Sequence, residues 1–302
     1  MEQKQRVIAL GFFDGVHRGH GALMRKVTER AAELGATPSA FTFDPHPQSI
    51  ILNKPVDLLT SPEDRADLMR RYYGIEDVIV TPFTEDRMKQ PWDDFVRNTL
   101  QKDLNAIHLV VGHDYHFGYK GEGNRVRLTS ICNELGIGLD VIEKVECDGI
   151  TISSTYIRTL VVQGEIARAN EFLGHPYTLS DTVSHGKKLG SSLGFPTVNL
   201  KLKPNVLAPA YGVYATRVWL ENGESHIAVT NVGKRPTVDD GEMLTVEGFI
   251  LDFSGDLYGQ QIRMEFYEFL RPEKKFPSLE ALRDEIMKNA QQTRDYFANQ
   301  RK

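Results

Sequence analysis

Two histidines three residues apart, His17 and His20, stand in the stretch GFFDGVHRGH (residues 11–20), just after the apolar run Val7–Leu10 and among three glycines and Asp14. A helix that starts near His17 places both imidazoles on one face, one turn apart, beside the free N–H groups of its first turn. The helix dipole puts roughly +0.5 charge at that end, which suits phosphate oxygens. Two imidazoles there can donate hydrogen bonds to a triphosphate and to charge that develops as pyrophosphate departs. Glycines let the backbone approach such a ligand closely. Taken alone, the spacing fits a metal pair or a capped helix with surface histidines better. The aspartate, the glycines and the strand–turn–helix setting tip the reading to phosphate.

A second candidate group lies in HGKKLGSSLGFPTVNL (residues 185–200). Gly186, Gly190 and Gly194 can wrap phosphates with backbone N–H groups, although glycine spacing by itself is weak evidence. In a strand starting at Thr197, residues 197 and 199 face one side and Val198 the other. A hydroxyl and an amide oxygen suit Mg²⁺, a hard ion that takes oxygen and keeps much of its water. A strand start with a satisfied Thr and Asn is the plainer alternative. Glu247, in TVEGFILDF, is a carboxylate in an otherwise apolar strand, costly unless exposed or partnered. It reads as an outward-facing strand residue or as a base.

The elements that must position these residues change character along the chain. Residues 6–10, 39–43, 77–80, 107–111 and 139–145 read as buried strands, with amphipathic stretches between them. One stretch carries Leu23, Val27, Ala31 and Leu34 at helical spacing and stops at Gly35. Another, SPEDRADLMRRYYG, has Ser61 as N-cap, Pro62 in the first turn and Gly74 as terminator. A third runs from about Trp92 to Leu104. This alternation predicts a parallel sheet wrapped by helices, with ligands at the carboxyl ends of the strands. GFFDGVHRGH, DPHP (44–47), GHDYHFG (112–118) and ISSTYIR (152–158) all fall at that edge. Beyond about residue 176 hairpin patterns take over, with Asn222-Gly223 as a turn, and one long helix returns from Ser278 to about Phe297. A small antiparallel barrel with a terminal helix fits best.

Composition narrows the class. The 302 residues carry a net charge of −5, with 20 Lys+Arg against 25 Asp+Glu in residues 1–178 and 16 against 16 after them. Neither half is a basic body, which argues against nucleic acid as principal partner. No apolar run is long enough to span a membrane, and the N-terminus lacks the apolar stretch of a secretory signal, so a cytoplasmic protein is expected. Cys132 and Cys147 form neither a disulfide framework nor a zinc spacing and read as buried or idle thiols. The oligomeric state stays open.

The motifs FDGVHxGH, TFDPHP, GHDYHFG, ISSTYIR, LGFPTVN, NVGKRPT and LDFSGDLYG, in this order through almost the whole chain, resemble the bacterial bifunctional riboflavin kinase/FMN adenylyltransferase family. The resemblance implies a nucleotidylyltransferase-type, Rossmann-like α/β domain over residues 1–178 that transfers AMP from ATP to FMN, giving FAD and pyrophosphate. It implies a riboflavin kinase β-barrel domain over residues 179–302. Gly11, Phe13, Asp14, Gly15, His17, His46, Asp114 and Ser154 carry over as substrate or ATP contacts, with His20 at the transition state and Arg158 on the β- and γ-phosphates. His46 and Asp114 also read as a turn residue and a loop cap, and His113 and His116 simply as loop residues. In the kinase half, Gly186, Gly190, Gly194 and Pro196 carry over to ATP, Thr197 and Asn199 to Mg²⁺, and Glu247 to the catalytic base. Tyr156 stands where many relatives have a basic residue, Ser191 replaces a commonly basic one, and Val198 replaces the usual Ala. A kinase with an altered N-terminal site, or a flavin-binding sensor that no longer turns over, are the competing readings.

Overall fold

The computed structural model of the chain describes residues 4–184, 197–236 and 242–300. It divides into two compact units, Met1–Ser154 and Thr155–Lys302.

In the first unit, β1 (Arg6–Leu10), β2 (Thr37–Asp44), β3 (Asp77–Pro82), β4 (Ala106–Gly112) and β5 (Gly138–Ile142) form a sheet in the order β3-β2-β1-β4-β5. Every pairing is parallel. The connections carry α1 (Arg18–Leu34), α2 (Pro47–Ile51), α3 (Pro62–Tyr73), α4 (Glu85–Met88), α5 (Trp92–Asp94) and α6 (Arg125–Leu135). Alternation along β1 feeds two cores, because successive side chains leave opposite faces of a strand. Ile8 and Leu10 join Phe41, Leu109 and Val111 on one side. Val7 and Ala9 join Met24, Val27, Leu68 and Met69 on the other. The predicted helix signals work as read. Ser61 accepts the Asp64 N–H at 3.1 Å, a cap worth about 1 kcal/mol, and Gly35 and Gly74 end their helices at φ 62° and 65°.

The chain order turns back between β1 and β4. Such a switch point opens a crevice at the strands' carboxyl ends, and the loops after β1 and β4 flank it. Two predicted elements differ. The third helix is a short α5 followed by a π-helical stretch, Phe95–Asp103, whose wider turns recur at functional sites. β5 ends at Ile142, and the small hairpin β6 (Glu146–Cys147) and β7 (Ile150–Thr151) follows. Its signal, Asp148-Gly149, was visible in the sequence, and both residues take positive φ as a tight two-residue turn requires.

In the second unit, α7 (Ser154–Gln163) and α8 (Ile166–Leu173) precede a curled antiparallel half-barrel. It comprises β8 (Tyr177–Thr182), β9 (Thr197–Leu200), β10 (Gly212–Trp219), β11 (Ser225–Pro236), β12 (Glu242–Ile250) and β13 (Gln261–Pro272), in the order β8-β13-β10-β11-β12-β9. Among the described residues its two edges touch at one bridge, where the Ser184 N–H donates to the Asn199 carbonyl at 3.0 Å. The terminal helix, Leu279–Asn299, packs Ala290 against Val213, Val229 and Leu251.

The two compact units meet at Ser154–Thr155, at the start of α7, and α8 packs on β13. The Asn170 amide donates to the Phe266 carbonyl and its oxygen accepts the Tyr177 N–H. In the turn between β10 and β11, only Gly223 takes positive φ, at 85°. The Gly223 N–H donates to the Leu220 carbonyl, and the Leu220 N–H to that of Glu224. This is a longer hairpin with a glycine bulge, not the two-residue Asn-Gly turn.

Candidate functional site

α1 starts one residue beyond His17, which is its N-cap in extended backbone. His17 Nδ1 accepts the backbone N–H of His20 at 3.2 Å. A ring nitrogen that accepts carries no proton, so a neutral His17 holds its proton on Nε2. The two imidazoles stack, with centroids 3.5 Å apart and planes 14° from parallel. His20 also meets the Phe13 ring edge-on at 5.3 Å. Burial, then His17, then Arg65 hold the His20 imidazole well below its ordinary range, since low dielectric and nearby cations both disfavour a second charge. His20 therefore meets a ligand as a neutral ring.

The turn between β1 and α1 is held in a costly shape. Phe13 and Val16 sit at φ 61° and 44°, and positive φ is an outlier for a β-branched residue. Strain of roughly 1–3 kcal/mol per residue persists only where the surroundings fix it. Asp14 supplies much of that fixation. It is buried, and its carboxylate accepts the N–H groups of Leu59 (2.9 Å) and Thr60 (3.2 Å). The Gly15 N–H donates to Thr60 Oγ1, and Ser154 Oγ donates to the Asp14 carbonyl.

A cavity of about 290 Å³ opens on this turn. Gly11, Phe13, His17, His20, Asp114 and Ser154 all line it, together with Gly19, His113 and Glu143–Val145. Asp14 and Gly15 do not, because they face the loop they brace. His46 lines neither this cavity nor its neighbour. It caps α2, accepting the Gln48 N–H at 3.1 Å, and rests edge-on against Phe12 at 4.2 Å. Asp114 lies exposed at the cavity, with His113 Nδ1 3.9 Å from its carboxylate.

A second cavity of about 270 Å³ adjoins the first, sharing Gly11 and Tyr115. Its wall is aromatic: Phe12, Phe43, Phe95, Tyr115 and Phe117, with Arg87, Gln90 and His116 as polar members. None of these aromatic residues was singled out from the sequence, since each reads there as ordinary core. Their common destination at the strand ends is the only signal, and it needs the topology to be seen.

In the second unit, Thr197 and Asn199 share one face of β9, and Val198 points oppositely into the half-barrel. Its extra bulk over Ala is accommodated because Gly248, its cross-strand partner, has no side chain. A Cβ there would lie 3.3 Å from Val198 Cγ2. Glu247 is directly opposite Asn199 on one side and Asn231 on the other, and Phe249 is opposite Thr197. A hydroxyl, two amides and a carboxylate therefore share one sheet face, an oxygen-rich set of the kind a hard cation takes. Asn231 is a neighbour that sequence reading missed. Gly186, Gly190, Ser191, Gly194 and Pro196 lie outside the described residues. Tyr156 and Arg158 are half-buried on α7, where Tyr156 packs edge-on against Phe172 at 5.0 Å. Among the described residues no group of three His, Cys, Asp or Glu side chains could hold a metal. Burial pushes the Cys132 thiol up to about 11.

The family model for FAD synthetase matches residues 1–156, and that for riboflavin kinase matches residues 173–297. The chain is 38% identical over 295 residues to a bifunctional riboflavin kinase/FMN adenylyltransferase of Listeria monocytogenes, spanning 97% of this chain and 93% of that one. A protein of the same description from Bacillus subtilis is 35% identical over 305 residues, 100% and 95% of the two chains. A crystal structure described as a macrolide-efflux protein from Streptococcus pneumoniae superposes with a TM-score of 0.84 at 28% identity, covering 97% and 95%. Among the described residues here, no helix is long and apolar enough to cross a membrane.

Proposed function

The chain belongs to the bifunctional riboflavin kinase/FMN adenylyltransferase family, and we propose that the histidine-lined cavity performs the adenylyl transfer and the Asn199–Glu247 face the phosphorylation of riboflavin. The observation that carries the first assignment is the pairing of two adjoining cavities around Gly11, one lined by stacked histidines and one by aromatic rings. An FMN molecule needs both: an apolar slot for its planar ring system and a donor-rich place where its phosphate meets ATP.

In this reading an FMN phosphate oxygen attacks the α-phosphorus of ATP. The new P–O bond forms as the bond to the β-phosphate oxygen breaks, and pyrophosphate leaves with the electron pair. Such a transfer is mainly positioning and charge stabilisation. His17, donating from Nε2, and neutral His20 supply donors without bringing a repelling pair of cations. Ser154 acts differently from a simple hydroxyl donor, because its proton is already given to Asp14; its oxygen remains an acceptor. Arg158, four residues on along α7, would take the β- and γ-phosphates with its planar fork.

In the kinase unit, Glu247 takes the proton from the riboflavin 5′-hydroxyl as that oxygen attacks the γ-phosphorus of ATP, and ADP departs. Thr197 and Asn199 would hold Mg²⁺, with Glu247 at its margin; when bound, the ion neutralises phosphate charge. Gly186, Gly190, Gly194 and Pro196 are proposed to wrap the ATP phosphates. Incubation of the protein with riboflavin and Mg·ATP, followed by flavin chromatography, tests the reading. FAD supports it, FMN alone would restrict it to the kinase step, and unchanged riboflavin would leave a flavin binder.

A further inference from the structure

Arg65, on α3, is among the largest fully buried side chains of the molecule, with no exposed surface. It stands three and four residues before Leu68 and Met69, on the helix face that meets the core, where an arginine needs a reason. Nη1 donates to the Phe12 carbonyl at 2.6 Å and to Thr42 Oγ1 at 3.0 Å, and lies 3.4 Å from the Phe43 carbonyl. Nε and Nη2 are enclosed without a hydrogen-bond partner. The guanidinium lies 4.1 Å from the centre of the Phe12 ring. Asp14, Asp44 and Glu63 act on it at longer range, and burial works against its charge. A buried cation with two unspent donors is expensive to keep, and a methionine or leucine would fill the space at lower cost.

The residue it grips explains why it is there. The Phe12 carbonyl also accepts Thr42 Oγ1 at 2.8 Å, so two donors pin the peptide between Phe12 and Phe13. Phe12 lines the aromatic cavity, and Phe13, at φ 61°, lines the histidine cavity and backs His20. One side chain thus fixes the seam between the two cavities. We propose that Arg65 is a positioning residue for adenylyl transfer, locking the Phe12–Phe13 turn and holding fixed positive charge behind the histidine pair where triphosphate charge collects. This rests on the adenylyl-transfer reading of that cavity.

The charge and the grip are separable. R65M keeps much of the volume but neither, and R65K keeps the charge with a single-point grip. FAD formation from FMN and Mg·ATP should fall about 10²-fold in R65M, chiefly in kcat, as expected when reacting groups shift by about 1 Å. R65K should recover part of that loss. Arg65 is a fixed charge that helps to depress His20, so the acidic limb of kcat/KM should move to higher pH in R65M and stay in place in R65K. FMN formation from riboflavin, measured in the same samples, should be unchanged. Should R65M fail to fold, R65K decides alone: lowered kcat with an unmoved acidic limb supports the assignment. Folded variants with FAD formation within twofold of wild type and an unmoved acidic limb would overturn it. A wild-type protein that makes no FAD would instead overturn the adenylyl-transfer reading itself.

Discussion

His17 uses one ring nitrogen to cap the helix on which His20 sits, accepting the His20 N–H at 3.2 Å while the rings stack 3.5 Å apart. Cap and donor are thus the two ends of one imidazole. Asparagine is a good cap but cannot reproduce the ring's second nitrogen. H17A should lose about 1 kcal/mol of stability, and H17N should recover it; FAD formation should fall in both. Denaturant titration alongside flavin chromatography checks this. Recovery of FAD formation in H17N would reduce His17 to a cap.

His20 also makes stability depend on pH. Its folded value lies well below the 6.5 of an ordinary imidazole, chiefly through burial. The unfolded chain therefore binds this proton first as pH drops, so the contribution is whole above about pH 6.5 and is lost as pH falls toward the folded value. Between pH 7 and 5 the wild-type melting temperature should drop more steeply than that of H20Q. Parallel curves would show that His20 titrates as in the unfolded chain.

Asp14 should behave as a brace. Removing its carboxylate leaves the buried N–H groups of Leu59 and Thr60 without their acceptor, a loss of about 1–3 kcal/mol. D14A should show that loss in urea unfolding of the N-terminal unit, with reduced FAD formation, and D14N, which keeps one oxygen, should lose less of both. A D14A protein of wild-type stability and reduced activity would return Asp14 to the substrate.

What could be read from the sequence was what local chemistry encodes. The five strands of the first sheet, Ser61, Gly35 and Gly74 as helix ends, and the His17–His20 turn follow from periodicity and capping. An aspartate in a glycine-rich turn carries no mark of which way it faces; the N–H groups of residues 59 and 60 claim Asp14 only once α3 packs. Arg65 and the aromatic wall depend on the same long-range placement. Glu247 beside Asn199 is a register fact, and strand register is invisible until the strands are paired.

The unit boundary carries its own test. α8 packs on β13, and residue 179 lies inside β8. A fragment of residues 155–302 should therefore fold and convert riboflavin to FMN, while one of residues 179–302 should be markedly less stable, having lost α7, α8 and the start of an edge strand. Circular dichroism melts and FMN formation check both. Equal stability of the two would place the boundary at 178.

The central claim is that one chain holds two separate chemistries, one at His20 and one at Glu247. Flavin chromatography of H20A, E247Q and their equimolar mixture, each given riboflavin and Mg·ATP, tests it most directly. H20A loses a transition-state donor, typically a factor of about 10²–10³, and should stop at FMN. E247Q loses the base, about 10²–10⁴, and should leave riboflavin nearly unchanged yet convert supplied FMN. The mixture should make FAD from riboflavin. A folded H20A or E247Q that loses both steps together, or a mixture that still makes no FAD, would contradict the account.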